Sequence, residues 1–100
     1  MRIKTIDVNA LEWFDRINGN SYFAGTVTVN YAMQSEKTYV IPFQYGYGDS
    51  YQHAALNVLK ENNVLRDKYN RPLWKYCENN GIVLRTAKRE NCKKRELLNI

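Results

Sequence analysis

The 100-residue sequence predicts a small α+β domain, with an antiparallel sheet and two or three short helices packed on one face. Two stretches with strict two-residue alternation, 21–31 and 37–45, predict the main hairpin of that sheet, at about residues 21–45. Apolar residues spaced three and four apart predict helices on either side of the hairpin. Because these patterns are mixed rather than regularly alternating, they favour α+β over a parallel α/β sheet.

The N-terminal twenty residues predict one strand and one helix. Residues 3–8 are expected to form a short strand, and Asn9 with Glu12 forms a capping-box-like pair. Residues 10–17 are then expected to form a short helix, which 18–20 end. The apolar residues that predict this helix are Leu11, Phe14 and Ile17.

The hairpin strands place every second residue on one face. The first strand should present Phe23, Gly25, Val27, Val29 and Tyr31 on its apolar face, and the second should present Tyr39, Ile41, Phe43 and Tyr45. Pro42 has no N–H to donate to a ladder. It therefore predicts an edge position or a bulge in the second strand.

The C-terminal half predicts two helices and a strand. Asp49 or Ser50 should cap a helix whose inward residues are Tyr51, Ala54, Ala55, Val58 and Leu59. Pro72 is well placed as the first residue of a second helix, with Gly81 as its stop. Residues 82–86 then predict a strand, and 90–100 fit either a short basic helix or a frayed tail. We expect residues 1–100 to form a single domain.

Composition narrows the function classes. No apolar run approaches the roughly 20 residues needed to cross a bilayer, and the N-terminus lacks a signal-peptide core, so we expect a protein of the cytoplasm with no membrane partner. Cys77 and Cys92 stand alone, without the clustered ligands that zinc requires. We therefore expect free thiols and no metal site.

Positive charge is concentrated in the C-terminal part of the chain. Residues 1–59 carry four basic and five acidic side chains, a net charge of −1, whereas residues 60–100 carry eleven and five, a net charge of +6. The densest basic group consists of Arg85, Lys88, Arg89, Lys93, Lys94 and Arg95. Such a patch attracts phosphates or acidic protein surfaces, and it equally fits a solvated tail that aids solubility.

The segment 42–51 joins a strand to a helix through two glycines and three tyrosines. Tyr22 and Tyr47 are expected to be exposed around this helix entrance, whereas Tyr39 and Tyr45 should face the core. Exposed rings beside basic residues suit stacking on nucleobases, and they also suit a protein–protein contact. A third interpretation, that the rings only cover a small core, stays open.

Catalytic patterns are missing. His53 is the single histidine, with Asp49 one turn before it, and no sequence feature brings Cys77 or Cys92 beside it. Nucleophile-elbow, Walker and dinucleotide glycine patterns do not occur. We therefore expect no enzyme activity and no cofactor.

Three motifs resemble small uncharacterised proteins of tailed bacteriophages and prophages. They are Gly19-Asn20-Ser21-Tyr22, Pro42-Phe43-x-Tyr45-Gly46-Tyr47-Gly48-x-x-Tyr51-x-x-Ala54 and Leu73-Trp74-x-Tyr76-Cys77. The resemblance covers most of the chain. It implies a phage or prophage origin and no particular activity.

The predicted element order over 9–62 is also similar to that of the double-stranded-RNA-binding domain. That family clamps phosphates with lysines at the start of its second helix. Residues 49–53 here, Asp49-Ser50-Tyr51-Gln52-His53, contain no lysine and one acid. This sequence therefore lacks the family's functional residues.

These observations predict a small non-catalytic phage binding protein that recognises nucleic acid or another phosphate-bearing partner. Its expected contact residues are the six basic residues above together with Tyr22 and Tyr47. Two alternatives stay open: a host-directed, anti-defence type inhibitor that binds a bacterial protein, and a homo-oligomeric phage accessory protein.

Overall fold

The computed structural model describes residues 2–66 and 71–100. Its elements are β1 (Thr5–Asp15), β2 (Asn20–Val29), β3 (Lys37–Tyr45), α1 (Ser50–Glu61), α2 (Leu73–Asn79), β4 (Val83–Arg89) and α3 (Lys94–Leu98). The strands form one sheet in the order β3-β2-β1-β4. The predicted α+β class is confirmed. β4 joins β1 in parallel, so the sheet is mixed, with an antiparallel part made of β1, β2 and β3.

The predicted helix over 10–17 is wrong, because β1 continues as an extended strand to Asp15. β1 is central and hydrogen-bonds to β2 on one side and to β4 on the other, which outweighs a weak helical spacing. Ile17, one of the three apolar residues whose spacing predicts that helix, is 94% exposed. Residues 18–20 turn a hairpin instead of ending a helix, and the Gly19 N–H donates to the Asp15 carbonyl at 2.7 Å.

The β2–β3 hairpin is confirmed, and its register shifts opposite Pro42. Phe23 pairs with Gln44 whereas Gly25 pairs with Ile41, so β3 bulges between these pairs. The bulge reverses the alternation of β3. Tyr45, predicted to face the core, therefore pairs with Tyr22 and is 59% exposed.

One face of the sheet packs against α1 and α2. All five residues predicted to point inward from α1 are buried. They pack with the larger core cluster, which contains Ile6, Val8, Phe23, Val27, Ile41, Leu73 and Cys77. Pro72 is the N-cap of α2 and Gly81 lies just beyond its end, close to the predicted limits.

The opposite face of the sheet carries α3. Ala24, which neighbours Phe23 on β2 and therefore points the other way, packs with Cys92 and Leu97. The Cys92 N–H donates to the Glu12 carbonyl at 3.0 Å, which ties the start of this segment to β1. We call this side of the sheet the α3 face.

Candidate functional site

An aromatic row crosses the α3 face at the end of the sheet where β1 finishes. The Tyr22 ring stacks on Trp13 at a centroid distance of 5.5 Å and on Phe43 at 5.2 Å, and the Tyr45 ring meets Tyr22 edge-on at 5.9 Å. Trp13, Tyr22 and Phe43 also pack against the small core beneath α3. The aromatic row therefore contributes both to the packing beneath α3 and to the surface of the sheet.

A cleft lies between the β1–β2 hairpin tip and the segment that begins α3. It has a volume of about 410 Å³. We call it the hairpin–α3 cleft, and it is lined by Trp13, Phe14, Asp15, Arg16, Ile17, Asn91, Cys92, Lys93 and Lys94.

Positive charge dominates this cleft. Arg16, Lys93 and Lys94 contribute three cations and Asp15 contributes one carboxylate, which leaves a net charge of +2. The Lys94 Nζ lies 5.4 Å from the centroid of the Trp13 ring. A cation over an indole and further cations beside it suit an anionic, flat ligand.

The Asp15 carboxylate is occupied by its own turn. Its oxygens accept hydrogen bonds from the Asn18 side chain at 2.8 Å and from the Ile17 N–H at 3.0 Å. The hydrogen bond from the Asn18 side chain is the main cause that lowers the pKa of Asp15. The carboxylate is thus directed into the turn, and it does not pair with the lysines of the cleft at ion-pair distance.

Three of the six predicted basic contact residues already contact other side chains or backbone groups of the protein. Arg85 forms a two-point contact with Asp7 at 2.6 and 2.9 Å. Lys88 points to the α1 side of the sheet, and its side chain is only 14% exposed. The Arg89 guanidinium contacts the Cys92 Sγ at 3.4 Å and Glu96 at 3.5 Å.

The other three basic residues lie on or beside α3. Lys93 and Lys94 line the cleft, and Arg95 follows them on the exposed side of the helix. Within 2–66 and 71–100, none of these three side chains forms an ion pair.

The rings of Tyr22 and Tyr47, the two predicted tyrosines, do not form a ring contact with each other in the described part of the chain. Tyr22 is half-buried behind Trp13, whereas Tyr47 is 67% exposed in the loop before α1. Tyr51, in contrast, is buried. Of the three tyrosines in segment 42–51, Tyr45 and Tyr47 are therefore exposed and Tyr51 is not.

Trp13 and Arg16 line the cleft, although the sequence does not predict either as a contact residue. Both lie in the segment that is predicted to be a helix, and only the continuation of β1 to Asp15 places them beside α3. A signal for the strand was present in the alternation of Ile6, Val8 and Ala10, which are all buried. That pattern continues to Ala10, the residue at which the predicted helix begins.

The second cavity of the α3 face is less suited to an anion. It measures about 350 Å³, and among the described residues that line it Arg89 has the only charged side chain. That guanidinium already has two partners. The hairpin–α3 cleft therefore offers the larger unpaired positive charge.

The groups that could support catalysis are dispersed. His53 is exposed on α1, and its imidazole forms no hydrogen bond with another described residue. Cys77 and Cys92 are buried free thiols on opposite sides of the sheet. Burial raises the pKa of Cys77 to about 11, which keeps this thiol protonated and weakly nucleophilic at neutral pH.

Residues 2–66 and 71–100 contain neither a cluster of metal ligands nor a helix suited to span a membrane. No three His, Cys, Asp or Glu side chains of that part converge as metal ligands would. No helix described there is long and apolar enough to cross a membrane.

Comparisons with known proteins identify no relative of this chain. No protein-family model, curated protein or solved structure matches this chain.

Proposed function

We propose that this chain is a non-catalytic nucleic-acid-binding protein whose hairpin–α3 cleft contacts the phosphate backbone. One observation carries the proposal: Arg16, Lys93 and Lys94 line the same cleft as the indole of Trp13. Clustered cations supply the sequence-independent part of nucleic-acid affinity, and aromatic rings add stacking.

The resemblance to small phage proteins supports a phage or prophage origin and action in the bacterial cytoplasm. Small phage genes cluster by role, so the neighbouring genes test this part of the proposal. Neighbours with no phage or prophage gene among them would argue against it.

The binding proposal is tested with fluorescently labelled single-stranded and duplex DNA and RNA, by anisotropy at low ionic strength. The cleft variant combines Arg16→Gln, Lys93→Gln and Lys94→Gln. We expect it to bind at least about tenfold more weakly than the parent, because it removes up to three phosphate contacts.

A matched control separates the cleft from net charge. Arg2→Gln, Lys4→Gln and Lys37→Gln remove one arginine and two lysines at the opposite end of the strands. β1 alone has 11 residues, so the two ends lie about 30–35 Å apart. The two triple variants are compared at an ionic strength of about 0.1 M, where the Debye length of about 10 Å is several times shorter than this separation. The control should bind like the parent. No binding of any of the four nucleic acids at low salt would refute the proposal.

A second candidate, docking on a bacterial protein, is favoured by the apolar tip of the β1–β2 hairpin. Ile17 is 94% exposed and Phe14 is 48% exposed. Neighbouring exposed apolar side chains favour a protein contact. A complex from host lysate that survives nuclease and high salt, and that is lost with Ile17→Asp, would support this candidate over nucleic-acid binding.

A further inference from the structure

The surroundings of Trp13 give the cleft more specificity than charge alone. The ring packs at the end of β1, where the Tyr22 ring stacks against it with an angle of 27° between the ring planes. Phe43 supports the same cluster at a centroid distance of 6.5 Å. These contacts fix the orientation of the indole, which still contributes to the wall of the cleft.

The ammonium group of Lys94 lies over this ring. Its Nζ lies 5.4 Å from the ring centroid, and the residue is exposed on the first turn of α3. A cation–π contact at an exposed position is weak. A flexible lysine can therefore exchange the ring for a phosphate.

We infer that Trp13 is a stacking platform for an unpaired nucleobase, and that Lys94 leaves the indole to neutralise the adjacent phosphate. The inference rests on the proposed function and narrows its ligand to single-stranded nucleic acid. Bases in a duplex are stacked on their neighbours and do not offer a free face, whereas every unpaired base does.

The intrinsic fluorescence of Trp13 tests this inference. The chain has two tryptophans, and Trp74 lies on α2, on the other side of the sheet. In a Trp74→Phe background Trp13 is the only indole. The probes are oligothymidylate, the same strand paired with oligodeoxyadenylate, and inorganic pyrophosphate.

We expect oligothymidylate to quench Trp13 and to bind more tightly than the duplex, while pyrophosphate binds without the quenching that a stacked base causes. In the parent chain, Trp13→Leu should weaken oligothymidylate binding about 5- to 150-fold. Trp13→Phe, which keeps a ring, should retain most of the affinity, and Trp74→Leu is the matched control with unchanged affinity. Lys94→Met should lower the salt slope by about 0.7, the value of one single-strand phosphate contact.

The outcomes distinguish this inference from the proposed function. Oligothymidylate that binds without quenching Trp13, or a duplex that binds as tightly as the single strand, overturns the stacking role alone. No binding of any oligonucleotide at low salt overturns both. Quenching is measured on the unsubstituted ring, so this result does not depend on the folding of Trp13→Leu.

Discussion

The substitution Lys88→Met tests whether Lys88 stabilises the fold, in contrast to the cations that are available to a partner. The Lys88 Nζ lies 3.3 Å from Glu12 Oε1 and donates to the Gly48 carbonyl at 3.0 Å, and it stands 5.8 Å from the centroid of the Tyr51 ring. The side chains of Lys88 and Glu12 are 14% and 13% exposed. Lys88 thus joins β4, β1 and the start of α1.

The magnitude of the effect follows from this geometry. At an effective dielectric constant of about 20, the Coulomb attraction over this distance is about 5 kcal/mol, and desolvation offsets part of it. Lys88→Met leaves the Glu12 carboxylate and the Gly48 carbonyl without their cation. We therefore expect it to lower the free energy of unfolding by about 2–4 kcal/mol.

Urea unfolding followed by circular dichroism measures this loss. The double variant with Lys88→Met and Glu12→Gln should be destabilised by at least about 1 kcal/mol less than the sum of the two single variants, because the two side chains interact. Affinity for nucleic acid, measured on the folded variant, should match the parent. A stability within about 0.5 kcal/mol of the parent, or an affinity loss as large as that of Lys94→Met, would refute the structural role of Lys88.

Three further predictions concern the fold. Asn30 is fully buried at φ 55°, and its side chain forms hydrogen bonds with the Lys4 N–H, the Arg2 carbonyl and Ser35. Asn30→Gly should lower the free energy of urea unfolding by about 1–3 kcal/mol, and Asn30→Ala by about 1 kcal/mol more, because alanine adopts a positive φ less readily than glycine. Equal stability of the two variants would contradict this argument about the backbone. A Cβ at Gly46 would lie 2.5 Å from Phe23 Cε1, whereas a Cβ at Gly48, which has φ 59°, would meet open space. Gly46→Ala should therefore destabilise the protein by more than the roughly 1 kcal/mol expected of Gly48→Ala. The reverse order of the two unfolding midpoints would contradict this prediction. The pKa of Cys77 is raised from 9.0 to about 11, so the contribution of this thiol to stability is present below about pH 9 and is lost as the pH rises toward about 11. Cys77→Ser should remove this pH dependence of the free energy of unfolding. If the difference in stability between the parent and Cys77→Ser stays constant across that pH range, the prediction is wrong.

Local patterns were enough to predict α1 and the β2–β3 hairpin. In α1 the apolar spacing is regular over three turns and a turn signal precedes it, so local and tertiary preferences agree. In the hairpin, alternation and Pro42 predicted both the strands and the irregularity. The side reversal of Tyr45 did not follow, because it depends on the precise position of the bulge.

The site depended on contacts between distant parts of the chain. Leu11, Phe14 and Ile17 fit a helical spacing, yet β1 runs through Leu11 and Phe14 to Asp15, because β2 pairs with it over that whole stretch and β4 pairs with it as far as Leu11. The partners of the basic residues were equally hidden. Glu12 and Lys88 lie 76 positions apart, and Asp7 and Arg85 lie 78 apart. Sequence alone therefore could not separate the paired cations from those in the cleft.

The salt dependence of single-strand binding tests the central claim most directly. The slope of log K against log salt concentration counts the phosphates that a protein neutralises, at about 0.7 per contact. The claim predicts that Arg16→Gln, Lys93→Gln and Lys94→Gln together reduce this slope by about 2, while Arg2→Gln, Lys4→Gln and Lys37→Gln leave it unchanged. Equal slopes for the two triple variants would show that the hairpin–α3 cleft is not where the phosphates bind.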